Sequence, residues 1–317
     1  SPYHRKNGGD LVWELGSGYF GCRDKAGRFD PKRFAEQAVS DQVKMIEIKM
    51  SQGAKPGHGG LLPAEKITAE IAQTRGVPMG QDCLSPPGHS AFSTPIEMME
   101  FIAQLREMSG GKPVGFKACI GAYGWLEELC LEIKERGIDS APDFFTIDSG
   151  DGGTGAAPMA LMDNVGLPIR ESLPIAVTIL QQHGLRGRIR IIASGKLLTP
   201  GAVAWALAAG ADFIQCGRGF MFSLGCIQSL KCNKNTCPTG VTTRNPRLQR
   251  GLDQQDKKVK VANYCRNIVH EVEVIAHSCG VDEPRHLGRR HVRIVQDTGK
   301  SVSYDELYPR PEVLPQY

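Results

Sequence analysis

Short apolar runs recur along this chain, and each is followed by a longer stretch of amphipathic character. Six of these runs read as strands: residues 11–15, 45–49, 114–119, 144–148, 189–193 and 213–216. The centres FFTI and RIIAS show no strict alternation of apolar and polar positions, which predicts strands covered on both faces. Between the runs the spacing predicts helices over 31–40, 63–74, 95–108, 125–136 and 200–209. Strands alternating with helices predict βαβ units and a parallel sheet. Glycine and polar residues gather after the strands, at 49–60, 149–155, 194–196 and 216–219. In a TIM-type (β/α)8 barrel those βα loops build the active site. Six strands fall short of eight, so the expected fold is such a barrel lacking its first one or two βα units. Beyond about residue 250 the pattern turns helical and charged over 257–276, then Pro-rich from Tyr308. The expected division is a barrel over 1–250, including a cysteine loop, and a helical extension and tail over 251–317.

Composition narrows the function classes. The 317 residues are 41 % hydrophobic and 23 % charged, ordinary for a globular chain that builds a full core. Lys plus Arg number 38 against 34 for Asp plus Glu, a net +4 too mild to argue for nucleic acid or an anionic membrane. No run approaches the ~18 apolar residues of a membrane span, and no signal-peptide core stands at the N-terminus. The 37 Gly and 20 Pro follow no G-X-Y period, so collagen is excluded. Of ten cysteines, seven are scattered and three, Cys226, Cys232 and Cys237, lie within twelve residues. That distribution points to a reducing, cytoplasmic setting with one thiolate-held metal site rather than a disulfide framework.

Cys226-x5-Cys232-x4-Cys237-Pro238 is the most specific motif. Iron–sulfur clusters are held by closely spaced thiolates, sometimes closing on Cys-Pro, and proline stops the loop from continuing as helix. Three thiolates suit a three-iron cluster; a four-iron cluster needs a fourth ligand, and zinc favours tighter cysteine pairs. The plain alternative is three buried cysteines with no ligand role. Ser194-Gly195-Lys196 and Cys216-Gly217-Arg218-Gly219 follow the last two strands, where barrels often cradle a phosphate on backbone N–H groups. Lys196 or Arg218 would add charge, unless the glycines simply end strands. The loop 149–155, with Gly152 and Gly153, reads as a tight functional turn, as a platform beneath a planar ring, or as a flexible loop. Lys117, late in its strand, faces either the barrel mouth, where it needs an anion or a heteroatom, or solvent. Gln52 and Lys55 suit a dicarboxylate as amide donor and counter-charge, with Arg75 and His89 as further candidates. No serine-hydrolase elbow, Walker A loop or His-Glu-x-x-His motif occurs.

IEIKMSQGAKPGHGG, SGDGGTGAAP and CGRGFMFSLGCIQSLKCNKNTCPTGVTT, in this order, resemble the flavin-binding synthase domain of glutamate synthases. The likeness runs over about residues 11–245 and is nearest to short members without a glutaminase domain, including the N-methylglutamate-synthase kind. It implies a TIM barrel binding FMN, with a [3Fe-4S] cluster on Cys226, Cys232 and Cys237. It also implies electrons arriving from ferredoxin or an NAD(P)H-oxidising flavoprotein, and a hydride passing from FMN to 2-iminoglutarate, formed from 2-oxoglutarate and ammonia or an amine. By the same resemblance Gln52, Lys55 and Arg75 are the 2-oxoglutarate contacts. Lys117, Gly152, Gly153, Ser194, Gly195, Gly217 and Arg218 are the flavin and phosphate contacts.

Three departures qualify the likeness. The chain begins Ser1-Pro2 and has no N-terminal cysteine nucleophile, so glutamine-dependent ammonia delivery is not expected. The family barrel has two more strands and a glutamate-bearing glycine-rich loop ahead of this chain's start, so an N-terminal part of the same protein is an expected partner. His58 stands where the family commonly has an acidic residue, which puts the amine donor in question. Two rival readings are an inosine-monophosphate-dehydrogenase-like barrel and a non-catalytic or electron-transfer fragment. The first shares the late phosphate loops but leaves the clustered cysteines unexplained.

Overall fold

The computed structural model describes residues 1–312; the end of the Pro-rich tail, 313–317, lies outside the described residues. The strands in chain order are β1 (Leu11–Leu15), β2 (Val43–Lys49), β3 (Leu61–Leu62), β4 (Cys83–Leu84), β5 (Val114–Ala118), β6 (Phe144–Asp148), β7 (Arg190–Ser194), β8 (Phe213–Gln215), β9 (Arg293–Val295) and β10 (Ser301–Ser303). Six of them form one parallel sheet in the order β1-β2-β5-β6-β7-β8. The sheet does not close on itself, so it forms the larger part of a (β/α)8-type barrel. β3 and β4 make a small antiparallel pair within the long connection after β2, and β9 and β10 another near the C-terminus.

Capping chemistry sets the helix starts. Thr94 accepts from the Glu97 amide while the Glu97 carboxylate accepts from the Thr94 amide, a reciprocal box opening the helix Pro95–Met108. Asp30 and Thr199 cap Pro31–Ala38 and Pro200–Ala209, and both helices carry proline in the first turn, where no N–H partner is lost. The helix expected over 63–74 divides into a 3-10 turn, Ala64–Lys66, and Ala69–Arg75. The cause is Thr68, whose hydroxyl caps the second segment and holds its own backbone extended. A further helix, Ile169–Gln182, contains Pro174 yet forms, because Leu173, Ala176, Val177 and Leu180 bury a continuous apolar stripe.

Alternation along the strands separates two faces. Ile46 and Ile48 of β2 and Phe116 and Phe145 of β5 and β6 are buried on the outer face. The Phe116 and Phe145 rings stack at 4.6 Å, and both meet Trp125 of the helix Gly124–Arg136. The residues between them, Glu47, Lys117 and Thr146, line the inner face. The charged helix expected over 257–276 runs from Gln254 to Ser278 and packs on the helices Pro200–Ala209 and Gly217–Ser223. Its Val272, together with Tyr304, joins the main apolar cluster, so the extension shares the barrel's core. Among the described residues no helix is long and apolar enough to cross a membrane.

Candidate active site

The strand mouths carry a paired network of charges. Glu14 of β1 accepts from Lys49 at 2.7 Å and also binds Lys117 of β5. Lys117 pairs in turn with Glu47 at 3.2 Å, and Glu47 accepts from the Thr146 hydroxyl at 2.5 Å. Lys117 and Glu47 are almost wholly buried, so each would pay a heavy desolvation cost alone. Burial opposes the Lys117 charge, but Glu47 and Glu14 outweigh it and hold the ammonium above the ordinary lysine range. Burial likewise opposes ionisation of Glu14, yet Lys117 and Lys49 keep its carboxyl below the ordinary value. Of the two directions read for Lys117, the structure takes the inner one, and its anions are protein carboxylates.

Beyond the strand ends, backbone-to-backbone contacts lock the loops together. Asp148, at the end of β6, accepts from the Gly53 amide at 2.8 Å and from the Ser194 hydroxyl at 3.0 Å. A Cβ on Gly53 would stand 1.6 Å from the Ser149 carbonyl oxygen, so only glycine lets the 51–60 loop approach β6. Gly195 has φ +124°, and a Cβ there would stand 2.1 Å from Ser149 Cβ. Gly152, in a left-handed turn, donates its amide to Asp163 at 2.6 Å, and the Gly153 carbonyl accepts from the Arg218 guanidinium. Lys196 pairs with Asp151 at 3.3 Å and Asp163 at 3.4 Å. Arg218 and Lys196 are thus engaged by the loops they follow. Gly217 opens the short helix Gly217–Ser223 and faces open space where a Cβ would sit.

Gln52 and Lys55 form one small turn, with the Lys55 amide donating to the Gln52 carbonyl at 3.1 Å. Gly53, between them, pins this turn to the mouth of β6. The Lys55 ammonium is half-buried and has no ion-pair partner among the described residues. Burial first, and then the like charge of Lys49, lower its pKa from the ordinary lysine value. Such a cation is an anion receptor in the making. Arg75 lies elsewhere: its guanidinium sits 4.6 Å over the Phe20 ring in a cavity of about 820 Å³ shared with Trp13 and Arg23. No contact joins it to Gln52 or Lys55 among the described residues. Both ring nitrogens of His89 are taken, by Tyr19 Oη at 3.1 Å and the Lys49 carbonyl at 2.9 Å, so it positions β2's end rather than meeting a ligand. His58 is exposed.

The three clustered cysteines are free thiols, as are the other seven. Among the described residues no group of three or more Cys, His, Asp and Glu side chains gathers around one metal-sized point, so Cys226, Cys232 and Cys237 are not drawn together here. Their loop nevertheless has unusual features. Gln228, Leu230 and Asn235 all adopt positive φ, near +55°, a costly conformation for side chains of that kind. Lys66 donates to the Cys232 carbonyl at 2.7 Å and the Thr242 carbonyl at 2.9 Å, tying the loop's two limbs. Burial raises the Cys237 pKa, but hydrogen bonds from the Thr239 hydroxyl and the Thr242 backbone prevail and bring it down to about 6. Asn233 Oδ1 and Thr242 Oγ1 are buried with no hydrogen-bond partner.

Glu14, Glu47 and Asp148 are absent from the sequence-level candidates, although each is a carboxylate inside or ending an apolar run. A charge in a strand buried on both faces is the signal that finds them.

Comparison with known proteins bears on all of this. A family model described as a conserved region in glutamate synthase matches residues 1–282. The glutamate synthase large subunit-like protein YerD of Bacillus subtilis (strain 168) is 43 % identical over 307 residues, covering 97 % of this chain and 58 % of that protein. The archaeal glutamate synthase (NADPH) of Methanocaldococcus jannaschii is 37 % identical over 238 residues, covering 75 % of this chain and 46 % of that protein. The chain therefore spans about half the length of these relatives. Among solved structures, a flavocytochrome b2 variant superposes with a TM-score of 0.48 at 15 % identity, covering 96 % of this chain and 61 % of that one.

Proposed function

The chain belongs to the glutamate synthase family, and from that premise we propose that it is part of an FMN-dependent oxidoreductase that reduces 2-iminoglutarate. The imine forms from 2-oxoglutarate and ammonia or a small amine, and the product is glutamate or an N-substituted glutamate. The observation that carries the reading is the Gln52–Lys55 turn: a half-buried, unpaired ammonium held by Gly53 at the mouth of β6. Lys55 would neutralise one carboxylate of the substrate and the Gln52 amide would donate to it, fixing the imine carbon in place. Arg75 is kept as a third proposed contact on the family resemblance alone; its guanidinium rests over the Phe20 ring and would have to leave it to meet the anion.

The residues at the mouths of β5 to β8 suit FMN. Lys117, the Gly152-Gly153 turn, Ser194-Gly195 and Gly217-Arg218 would hold it, and the open approach to Gly217 leaves room for a phosphate against its backbone. When bound, the flavin supplies the hydride. The buried network around Lys117 fixes that ammonium on the inner face, and the interlocked loops keep water from the imine, which water would hydrolyse.

For the iron–sulfur cluster the donors fit by chemistry, not by convergence. A thiol near pKa 6 at Cys237, in a loop that holds three side-chain residues at positive φ, suits thiolate ligation. We therefore keep Cys226, Cys232 and Cys237 as proposed ligands of a [3Fe-4S] cluster and route no step through it. A cytoplasmic setting and ferredoxin or an NAD(P)H-oxidising flavoprotein as electron source complete the proposal.

The test mixes the flavin-loaded, reduced protein with 2-oxoglutarate and either ammonium or methylamine. Flavin absorbance should return only when keto acid and amine are both present. Lys55→Ala should raise the half-saturating 2-oxoglutarate concentration by tenfold or more, as expected for a lost charge-assisted contact. Bound FMN that neither pair reoxidises would sink the reading.

A further inference from the structure

On the outer face of β5, behind the charged network, lies a second cavity of about 490 Å³. Met50, Phe92, Met98, Phe116, Trp125 and Leu129 form its apolar walls. His89 and Phe92 stack at 4.8 Å with an interplanar angle of 17°, giving one flat wall. Trp125 and Phe116 meet edge to face across 6.1 Å and supply another.

The few polar groups that reach this space have partners in the protein. His89 is held by Tyr19 and the Lys49 carbonyl, Ser93 Oγ donates to Glu97 at 2.8 Å, and Thr94 Oγ1 accepts from the Glu97 amide at 3.2 Å. Burial keeps the His89 ring toward its neutral form and pushes the Cys119 thiol up to about 11. Among the described residues no Asp, Glu, Lys or Arg lines the cavity. A dicarboxylate, a phosphate or an ammonium ion would enter it without a counter-charge and lose its hydration. Space walled mostly by apolar groups, with its polar side chains engaged within the protein, favours an apolar occupant over ordered water. Its volume lies within the roughly 300–1,000 Å³ of small-molecule sites.

We propose that this cavity is a binding site for a small, uncharged, planar ring compound, separate from the site at the inner strand mouths. The two share one layer of backbone. Lys117 points inward between the outward Phe116 and Ala118, while the Met50 amide, at the cavity's edge, donates to the Lys117 carbonyl at 2.9 Å. The assignment stands apart from the proposed reaction, because its readout is binding alone.

Toluene titrated into the 317-residue chain, followed by calorimetry, tests it. The expected result is one saturable site with a dissociation constant on the order of 1 mM, as a seven-atom apolar ligand allows. Nuclear Overhauser contacts should link toluene to the Trp125 indole and the Met98 methyl. Ala118→Leu places a larger side chain in the cavity and should weaken binding at least tenfold; Leu129→Trp does the same from the helix side. Absence of saturable binding overturns the proposal. So do contacts confined to other residues, or undiminished affinity in either filled variant that remains folded. The contacts in the unaltered protein decide the matter even if neither variant folds.

Discussion

The inner face of the sheet and the cysteine loop are two polar regions of one chain, and they are built on opposite terms. On the inner face each buried charge has its partner: Lys117 has Glu14 and Glu47, and Glu47 also has Thr146. The loop over 226–237 instead holds three left-handed side-chain residues and the unpartnered Asn233 Oδ1, with the unpartnered Thr242 Oγ1 just beyond it. A network satisfied from within stabilises its own geometry and holds its groups in place before any ligand arrives. Strain and orphaned polar atoms, by contrast, persist where something outside the chain completes the site. The first region is a frame, and the second is the proposed receptor.

The largest effect should come from breaking the frame. Lys117→Met leaves Glu47 buried without its cation and should cost about 3–5 kcal/mol in unfolding free energy by urea titration. A loss below ~1 kcal/mol would mean that the carboxylates had never depended on it. Next comes the junction of frame and loops: Gly53→Ala forces a methyl against the Ser149 carbonyl and should destabilise by about 2 kcal/mol. Because the same glycine holds Lys55 in place, 2-oxoglutarate affinity should fall with it.

The receptor is tested by its ligand rather than its stability. After anaerobic reconstitution, Cys232→Ser and Cys237→Ser should each lower bound iron at least tenfold, whereas Cys279→Ser, on an exposed thiol far along the chain, should leave it intact. Equal iron in all three proteins would return the loop to ordinary buried thiols. The smallest effect concerns pH. Glu14 titrates below its ordinary value of 4.5, so its contribution is complete above that pH and is lost as pH falls through the lowered folded value. Lys117 titrates above 10.5, so its contribution is present below that pH and is lost as pH rises through the raised value. Glu14 is 40 % exposed, so Glu14→Gln should flatten the acid limb by less than ~1 kcal/mol. A steeper change would show that solvent screens the pair less than its exposure implies.

Much of this arrangement is legible in the chain itself. β1 and β6 fall at the expected limits, and the other sheet strands differ by one or two residues, because a short apolar-rich run bounded by turn residues marks a strand even where single polar positions interrupt it. Strand ends are harder: the register between neighbours, not the side chain, decides where pairing stops. Pro174 hid a helix whose apolar stripe outweighs the lost hydrogen bond, and Thr68 split another through its own cap. In the site, the glycine loops and the Gln52–Lys55 turn were visible as motifs at strand mouths. The ring stack of Arg75 with Phe20, by contrast, is a contact between side chains far apart in sequence that no motif reveals.

By itself the sequence determined the alternation of buried strands and capped helices, the side of the sheet that carries the loops, and the clustering of three cysteines. Local apolar runs, caps and spacing suffice for these because they need only near neighbours in the chain. Tertiary structure alone decided that Lys117 turns toward Glu14 and Glu47, that Gly53 clasps the carbonyl of Ser149, and that the Arg75 guanidinium rests over the Phe20 ring. Each of those outcomes depends on groups up to a hundred residues distant, and a buried charge settles only when the fold brings it a partner.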